Sequence, residues 1–170
     1  TLTIRPRGDG VGAQAFFVVQ TAPATGGPNM TASSYTNSAG TPGRAFQGSP
    51  SFAAAADAYA ARIPHSGTGS GRNQFLPLQG DAGILSIESF TLSTGTAYTG
   101  SGVLALCLAK PLCEIPLPVT GVVQILDMVN QLPSLPKIED GACLAWMLWG
   151  TGATTNNSPF SSTITTAWAG

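Results

Sequence analysis

The sequence predicts an all-β protein, specifically a jelly-roll β-sandwich with one short helix, long loops and an N-terminal arm. Glycine and proline are frequent, with 21 and 13 copies among 170 residues, and both interrupt helices and favour turns. Short runs of β-branched and aromatic residues lie between these turn signals, as strands do in sandwiches. The wide spacing of the runs favours a jelly roll over a simple meander.

The clearest predicted strands lie in the first two thirds of the chain. AQAFFVVQ (13–20) is an apolar run bounded by Gly and Pro, which predicts a buried strand. In ILSIESFTLS (84–93) the alternation of apolar residues slips by one near Glu88 and Ser89, which predicts a β-bulge. VLALCLA (103–109) places three leucines on one face and smaller residues on the other, as expected for a strand between a core and a closely approaching layer.

The last third supplies the remaining predicted strands. Prolines limit KPLCEIPLPV (110–119) to an edge strand or an extended connection. Residues 121–133 fit either a helix or a strand. ACLAWMLWG (142–150) predicts a fully apolar strand, and FSSTITTAWAG (160–170) alternates as a half-buried strand does. The whole chain thus predicts six to eight short strands.

Two other segments complete the predicted domain organisation. SFAAAADAYAAR (51–62) predicts the one short helix, because its alanines favour helix and its first serine can cap it. Residues 21–51 are mostly Gly, Pro, Ser, Thr and Asn, which predicts a long loop that becomes ordered against neighbouring chains. We expect an N-terminal arm at 1–12 and a single jelly-roll domain at 13–170.

The charge content is unusually low. Lys, Arg, Asp and Glu make up 9% of the residues, against about 25% in an ordinary soluble domain. A surface of Ser, Thr, Gly, Asn and Ala carries few ions that must lose water when it is covered. This composition favours a surface that lies against other protein; a stable secreted or extracellular β domain is the alternative.

Several classes of partner are not indicated by the composition. The net charge of −1 predicts no general affinity for nucleic acid. No apolar run approaches the 18 residues of a membrane-spanning helix, and the opening TLTIRPRGDG does not resemble a signal peptide. The three cysteines, Cys107, Cys113 and Cys143, lie in apolar surroundings and are predicted as buried free thiols. Free thiols favour assembly in a reducing cytosol.

No motif indicates catalysis, a cofactor or a metal. His65 is the single histidine and lies in a loop without a partner pattern, whereas zinc needs three or four ligands. Glu139 and Asp140 are adjacent and would point opposite ways in a strand. GTGSG (67–71) lacks the Lys-Ser/Thr that follows in a phosphate-binding loop. The tripeptide Arg7-Gly8-Asp9 matches an adhesion motif that occurs often by chance.

One stretch carries a family resemblance. LDMVNQLPSLPKIEDGACLAWML (126–148) contains the pattern QLPSLP-(K/R)-I-x-DGACL, which resembles small jelly-roll cement or decoration proteins on the heads of tailed bacteriophages. The resemblance extends from SIESFTLSTG, which begins at Ser86, to the predicted strand at 142. It implies a non-enzymatic virion protein that is assembled in the host cytoplasm and binds the outer capsid surface. Such a protein bridges capsomers of an HK97-fold major capsid protein and self-associates as a dimer or trimer.

Candidate partner contacts follow from the predicted arm and the predicted loop. Isolated arginines often anchor interfaces, and apolar side chains beside them add contact area. The expected contact residues are Leu2, Ile4, Arg5 and Arg7 in the arm, and Arg44 and Phe46 in the long loop. The alternative function is a carbohydrate-binding or receptor-binding jelly-roll module, which would present exposed aromatic side chains in a groove. A hydrolase has less support, because no base–nucleophile pair is evident.

Overall fold

The computed structural model describes residues 6, 8–21, 29–48, 75–93, 102–115, 125, 138 and 141–147. The described residues contain four β-strands and no helix: β1 (Gln14–Thr21), β2 (Asn29–Asn37), β3 (Ile84–Ser93) and β4 (Val103–Ala109). They form two antiparallel sheets, in which β1 pairs with β4 and β2 pairs with β3. Along the chain, the inner pair β2–β3 therefore lies between the two strands of the outer pair β1–β4. The described part of the protein is all-β, as predicted.

The chain divides into two compact units, residues 1–140 and 141–170, and all four strands belong to the first. The predicted strands at 13–20, 84–93 and 103–109 are confirmed as β1, β3 and β4, with β1 shifted by one residue. None of the described residues belongs to a helix long and apolar enough to cross a membrane.

Side chains from both sheets form one hydrophobic core. The core-facing side of β1 carries Ala15, Phe17 and Val19, which alternate along the strand and are all buried. The three leucines of β4 pack against this cluster, so the face with the large side chains meets the core. Phe17 of β1 meets Phe90 of β3 edge to face, with ring centroids 5.5 Å apart. Because aromatic rings bury large apolar areas, this contact joins the two sheets.

The predicted β-bulge is confirmed in the β2–β3 pair. Ser34 pairs with Ser89 and Tyr35 pairs with Ile87, so Glu88 is the extra residue. The register also shifts between Met30 and Ala32 and between Thr36 and Asn37. A bulge bends its strand and changes the direction of neighbouring side chains. Glu88 consequently lies beside Thr36 instead of following the regular alternation of the strand.

The prediction of a long loop at 21–51 is wrong for residues 29–37, which form β2. Its sequence, NMTASSYTN, lacks the apolar alternation that usually identifies a strand. Strand stability depends strongly on cross-strand partners and burial rather than on local composition. Here the pairing with β3 and the complete burial of Tyr35 supply that stabilisation.

The predicted arm at 1–12 is also too long, because residues 10–12 cross residues 82–84 at backbone contact. The Gly12 N–H donates to the Ala82 carbonyl at 2.9 Å, and Val11 forms a β-bridge with Gly83. A Cβ atom on Gly10 would lie 2.3 Å from the Ile84 carbonyl oxygen, and one on Gly83 would lie 2.1 Å from the Gly10 oxygen. Only glycine permits this approach.

Part of another predicted strand is also wrong. Residues 142–147, from the predicted strand at 142–150, form no strand, and Ala142 to Trp146 are exposed. A continuous apolar run does not form a strand without a neighbouring strand to pair with. Residues 111–115 form no strand, so this part of the proline-rich segment is a connection. The predicted helix at 51–62, the predicted strand at 160–170 and all of 121–133 except Ile125 lie outside the described residues.

The backbone crossing predicts a difference between two glycine substitutions. Gly8 and Gly10 have nearly equal positive φ angles, 81° and 77°, so alanine adds a similar backbone strain at both. Only at Gly10 would the new methyl group overlap backbone atoms, because nothing lies within 4 Å of a Cβ on Gly8. We expect Gly10→Ala to lower the free energy of unfolding by roughly 1–3 kcal/mol more than Gly8→Ala. Urea denaturation measures this difference, and equal losses would contradict the crossing.

Candidate functional site

The most connected polar group among the described residues is the carboxylate of Asp81, whose side chain is 8% exposed. It accepts hydrogen bonds from the Tyr35 hydroxyl, from Asn37 Nδ2 at 2.8 Å and from Arg44 Nε at 3.0 Å. Arg44 Nε and Asp81 Oδ2 also form an ion pair. We call Tyr35, Asn37, Arg44 and Asp81 the Asp81 cluster.

Local backbone structure positions the donors of the Asp81 cluster. Tyr35 and Asn37 are two residues apart on β2, so both side chains lie on the same face of the sheet. The chain turns after β2 and returns, so that Tyr35 and Arg44 exchange two backbone hydrogen bonds of 2.8 and 2.9 Å. Asn37 Oδ1 accepts from the Thr41 N–H at 2.8 Å and thereby fixes the turn. This local structure brings Arg44 beside Asp81.

Phe46 completes the packing of the returning segment. Its ring stacks on Tyr35 with centroids 4.7 Å apart and an interplanar angle of 21°. Its backbone N–H donates to Ser33 Oγ at 3.0 Å, and the next residue, Gln47, donates its N–H to the Pro77 carbonyl at 2.7 Å. The segment that follows β2 is therefore joined to both β2 and the residues that precede Asp81.

The electrostatics of the cluster favour charged Asp81 and neutral Tyr35. Hydrogen bonds from Tyr35, then Asn37, then Arg44 lower the pKa of Asp81 from 3.8 to about 2. Burial raises the pKa of Tyr35 above its ordinary value, and its hydrogen bond to Asp81 raises it further. The hydrogen bond to Asp81 also raises the pKa of Arg44. An ionised carboxylate that accepts from three donors is a poor general base. The Asp81 cluster is therefore suited to holding β2, the segment after it and Asp81 together.

A second carboxylate, Glu88, lies at the β-bulge in a different setting. Its Oε1 accepts from Thr36 Oγ1 at 2.7 Å and from Ser86 Oγ at 2.5 Å. Its Oε2 is buried without a hydrogen-bond partner, and is the one such side-chain atom among the described residues. A buried acceptor with no donor lowers stability. The two carboxylates therefore differ in how fully their oxygens are satisfied.

The described residues hold no group of three or more His, Cys, Asp or Glu side chains that could bind a metal. The prediction of buried thiols is wrong for Cys113 and Cys143, which are exposed. Cys113 lies in the proline-rich connection and Cys143 in the segment that forms no strand, so neither has a sheet to cover it. Cys107, on β4, is partly buried, and burial raises the pKa of its thiol.

Two of the six expected contact residues, Arg44 and Phe46, belong to the described part of the chain. Leu2, Ile4, Arg5 and Arg7 lie outside the described residues, as does His65. Phe46 is 7% exposed and Arg44 is paired with Asp81, so each has a partner inside this chain. The expectation that Phe46 meets another protein therefore does not fit, because its ring is covered by its own domain.

Sequence reasoning missed Tyr35, Asn37 and Asp81. A weak signal for the first two is the alternation of Ser33, Tyr35 and Asn37, in which a single aromatic residue marks the buried face. Asp81 lies in QGDAG (79–83), where flanking glycines indicate a tight turn. No local pattern links positions 37 and 81, because β2 and β3 bring them together.

The described surface is even less charged than the composition indicates. Six charged residues fall in the described part of the chain, and three of them, Arg44, Asp81 and Glu88, are partly covered and bonded to other side chains of the domain. The other three, Asp9, Lys110 and Glu114, are exposed. Exposed apolar side chains include Val11, Phe90 and Val103. The exterior thus combines few charges with scattered apolar groups.

No protein-family model, no curated protein and no solved structure matches this chain.

The two carboxylates predict effects of different size for the same chemical change. Asp81→Asn replaces a charged acceptor that has three donors, so we expect a lower free energy of unfolding. Glu88→Gln changes a carboxylate that accepts only from two hydroxyl groups, so we expect a smaller loss. Urea denaturation at neutral pH measures both variants. A larger loss for Glu88→Gln than for Asp81→Asn would contradict the described hydrogen bonding.

The lowered pKa of Asp81 predicts a specific acid dependence. Folding favours the ionised form, because the folded pKa of about 2 lies below the ordinary 3.8. The ionised carboxylate therefore stabilises the fold fully above pH 3.8, and this stabilisation is lost as the pH falls towards 2. The stability difference between the wild-type chain and Asp81→Asn should therefore shrink through this interval. Denaturation midpoints of both proteins across the interval measure it, and a constant difference would exclude Asp81 as the titrating group.

Removing the hydroxyl group of the buried Tyr35 tests its contribution to the Asp81 cluster. Tyr35→Phe deletes the donor to Asp81 and the acceptor of the Gln79 N–H, a 3.0 Å bond. We expect a loss of about 1–3 kcal/mol in the free energy of unfolding. In the double variant with Asp81→Asn, the loss should be smaller than the sum of the single losses, because one change removes and the other weakens the same hydrogen bond. Additive losses would show that the two groups act independently.

Proposed function

We propose that this chain is a structural virion protein of a tailed bacteriophage that binds the outer surface of an HK97-fold capsid and stabilises contacts between capsomers. The observation that carries the proposal is the weakly charged exterior, on which only three of the six described charged residues are exposed. Few ions lose water when such a surface is covered, so a neighbouring protein binds it at a small desolvation cost. The family resemblance in residues 126–148 supplies the identity of that neighbour.

The strand pairing supports a jelly-roll sandwich as the architecture. In a jelly roll, a long antiparallel hairpin is folded across two facing sheets, so that successive nested pairs fall in different sheets. The outer pair β1–β4 and the inner pair β2–β3 follow this order and share one core. A two-sheet sandwich also suits a rigid clamp, because its faces and connecting loops can contact different subunits at once.

A modest contact surface is sufficient for this function. Burying 1,000 Å² of apolar surface contributes on the order of 25 kcal/mol before the large costs of association. A shell offers the same junction many times, so weak individual sites sum to strong reinforcement. The proposed mechanism therefore needs neither a catalytic group nor a cofactor. It needs a stable domain, which the Asp81 cluster and the shared core provide.

The proposed contact region is the N-terminal segment with Leu2, Ile4, Arg5 and Arg7, together with the exposed part of Arg44. The side chain of Arg44 is 30% exposed, so it keeps some surface for a partner while paired with Asp81. The hydrophobic core begins at Ala13, after this segment. Removal of residues 1–7 should therefore leave the core intact.

Co-sedimentation with purified capsids tests the assignment. We expect the full chain to sediment with shells of the HK97-fold major capsid protein from the same virus, and removal of residues 1–7 to abolish sedimentation without lowering the urea midpoint. Arg5→Ala/Arg7→Ala should weaken binding by about tenfold or more, since interface arginines are frequent binding hot spots. Lys110→Ala is the control, because Lys110 is an exposed cation outside the segment. Equal binding by all variants would reject the contact assignment.

The copy number in the virion tests the function itself. We expect quantitative mass spectrometry of purified particles to find this chain in proportion to the major capsid protein. Absence from the particles would reject the capsid proposal.

A carbohydrate-binding or receptor-binding module is the second candidate, favoured by the exposure of Phe90 and Trp146. Exposed aromatic rings stack on sugar rings, and they anchor many protein interfaces as well. The ring of Phe90 already contacts Phe17, so part of its surface faces the core. Binding of the isolated chain to a glycan array, lost in Trp146→Ala and retained after removal of residues 1–7, would favour this candidate over capsid binding.

A further inference from the structure

The carboxylate of Glu88 has one oxygen without a partner in a place that excludes water. Oε2 is buried and accepts no hydrogen bond, the one such side-chain atom among the described residues. Buried polar atoms in proteins are nearly always satisfied, and a buried carboxylate is normally paired with an opposite charge or bound to a metal ion. The unsatisfied oxygen therefore indicates a ligand that completes it.

The basic side chains of the described part of the chain do not supply this partner. Arg44 pairs with Asp81, which is the one ion pair among the described residues, and Lys110 is exposed. A buried water molecule would donate a hydrogen bond to Oε2 but would leave the charge of the carboxylate unbalanced. A cation satisfies both requirements at once.

The atoms around the carboxylate are the oxygens that a hard cation requires. Thr36 lies directly across the strand pair from Ser86, and their hydroxyl oxygens lie 2.7 and 2.5 Å from Glu88 Oε1. Ser86 is only 5% exposed, so this position is largely closed to solvent. A hydroxyl group has two lone pairs besides its proton, so each one can donate to Oε1 and still bind an ion. Carboxylate and hydroxyl oxygens without nitrogen or sulfur favour calcium or magnesium over transition metals.

We propose that Glu88, Thr36 and Ser86 form a binding site for a hard divalent cation, with calcium as the expected ion. Calcium tolerates the irregular geometry of a β-bulge, whereas magnesium requires a nearly ideal octahedron. A single carboxylate predicts weak binding, with a dissociation constant on the order of 1 mM, because affinity rises with the number of charged ligands. The ion joins β2, which carries Thr36, to β3, which carries the other two ligands. This site goes beyond capsid binding and does not rest on it.

Urea denaturation of the purified chain with and without calcium tests the proposal. After a chelator has removed metals, we expect calcium at about ten times its dissociation constant to raise the ratio of folded to unfolded protein about elevenfold, or about 1.4 kcal/mol. Potassium chloride keeps the ionic strength constant, and isothermal titration calorimetry with calcium chloride measures the dissociation constant on the unmodified chain. An unchanged urea midpoint together with no heat of binding would overturn the proposal and leave water as the partner of Oε2.

Matched variants test where the ion binds. Glu88→Gln should abolish the calcium response, whereas Asp81→Asn, the same change at a carboxylate with three donors, should keep it. Thr36→Val should weaken calcium binding about tenfold or more. Thr31→Val should leave the affinity unchanged, because Thr31 lies on the same strand but donates to the Thr91 carbonyl.

A calcium response that survives Glu88→Gln would place the ion elsewhere and overturn the proposal. Equal affinities of Thr36→Val and Thr31→Val would overturn it as well. Near-ultraviolet circular dichroism checks that each variant folds. If Glu88→Gln does not fold, the comparison of the two threonine variants decides.

Discussion

The arrangement of the described chain depends on one acceptor, the carboxylate of Asp81. It binds two side chains of β2 and one from the segment that returns after β2, while its own backbone precedes β3. Three donors keep the carboxylate ionised, and the low exposure of Tyr35 shields the bonds from water. Hydrogen bonds to a charged group are stronger than those between neutral groups. The Asp81 side chain thus connects the end of β2 with the residues that precede β3.

The strands that carry an apolar pattern were predictable, and the strand that carries a polar pattern was not. β1, β3 and β4 carry apolar residues that face the core, and even the bulge at Glu88 left a visible slip in the alternation of β3. β2 consists mostly of Ser, Thr and Asn, and its strand character comes from pairing with β3. Local sequence cannot report a partner that lies about fifty residues away. The same separation hid Asp81, whose role appears only when the two strands meet.

The strand prediction at 142–147 was wrong for the opposite reason, because there an apolar pattern did not correspond to a strand. That segment has strong apolar character, which predicted a core strand, yet its described residues are exposed. Covering an apolar segment lowers the free energy whether its own chain or another chain covers it. Hydrophobicity alone therefore does not predict a core strand. The polar strand β2 and the apolar segment 142–147 together show that burial, and not composition alone, decides where strands form. Both lessons bear on a protein with so few charges, because charge is the usual marker of an exposed surface.

The hydrogen bond between the Gln47 N–H and the Pro77 carbonyl has a consequence for how this protein can change. Residues 47 and 77 lie side by side, so this bond holds the two ends of the intervening stretch together. Doubling the length of such an excursion costs only about 0.6 kcal/mol in closure entropy. A change in the length of this stretch therefore adds little to the entropy cost of holding residues 47 and 77 together.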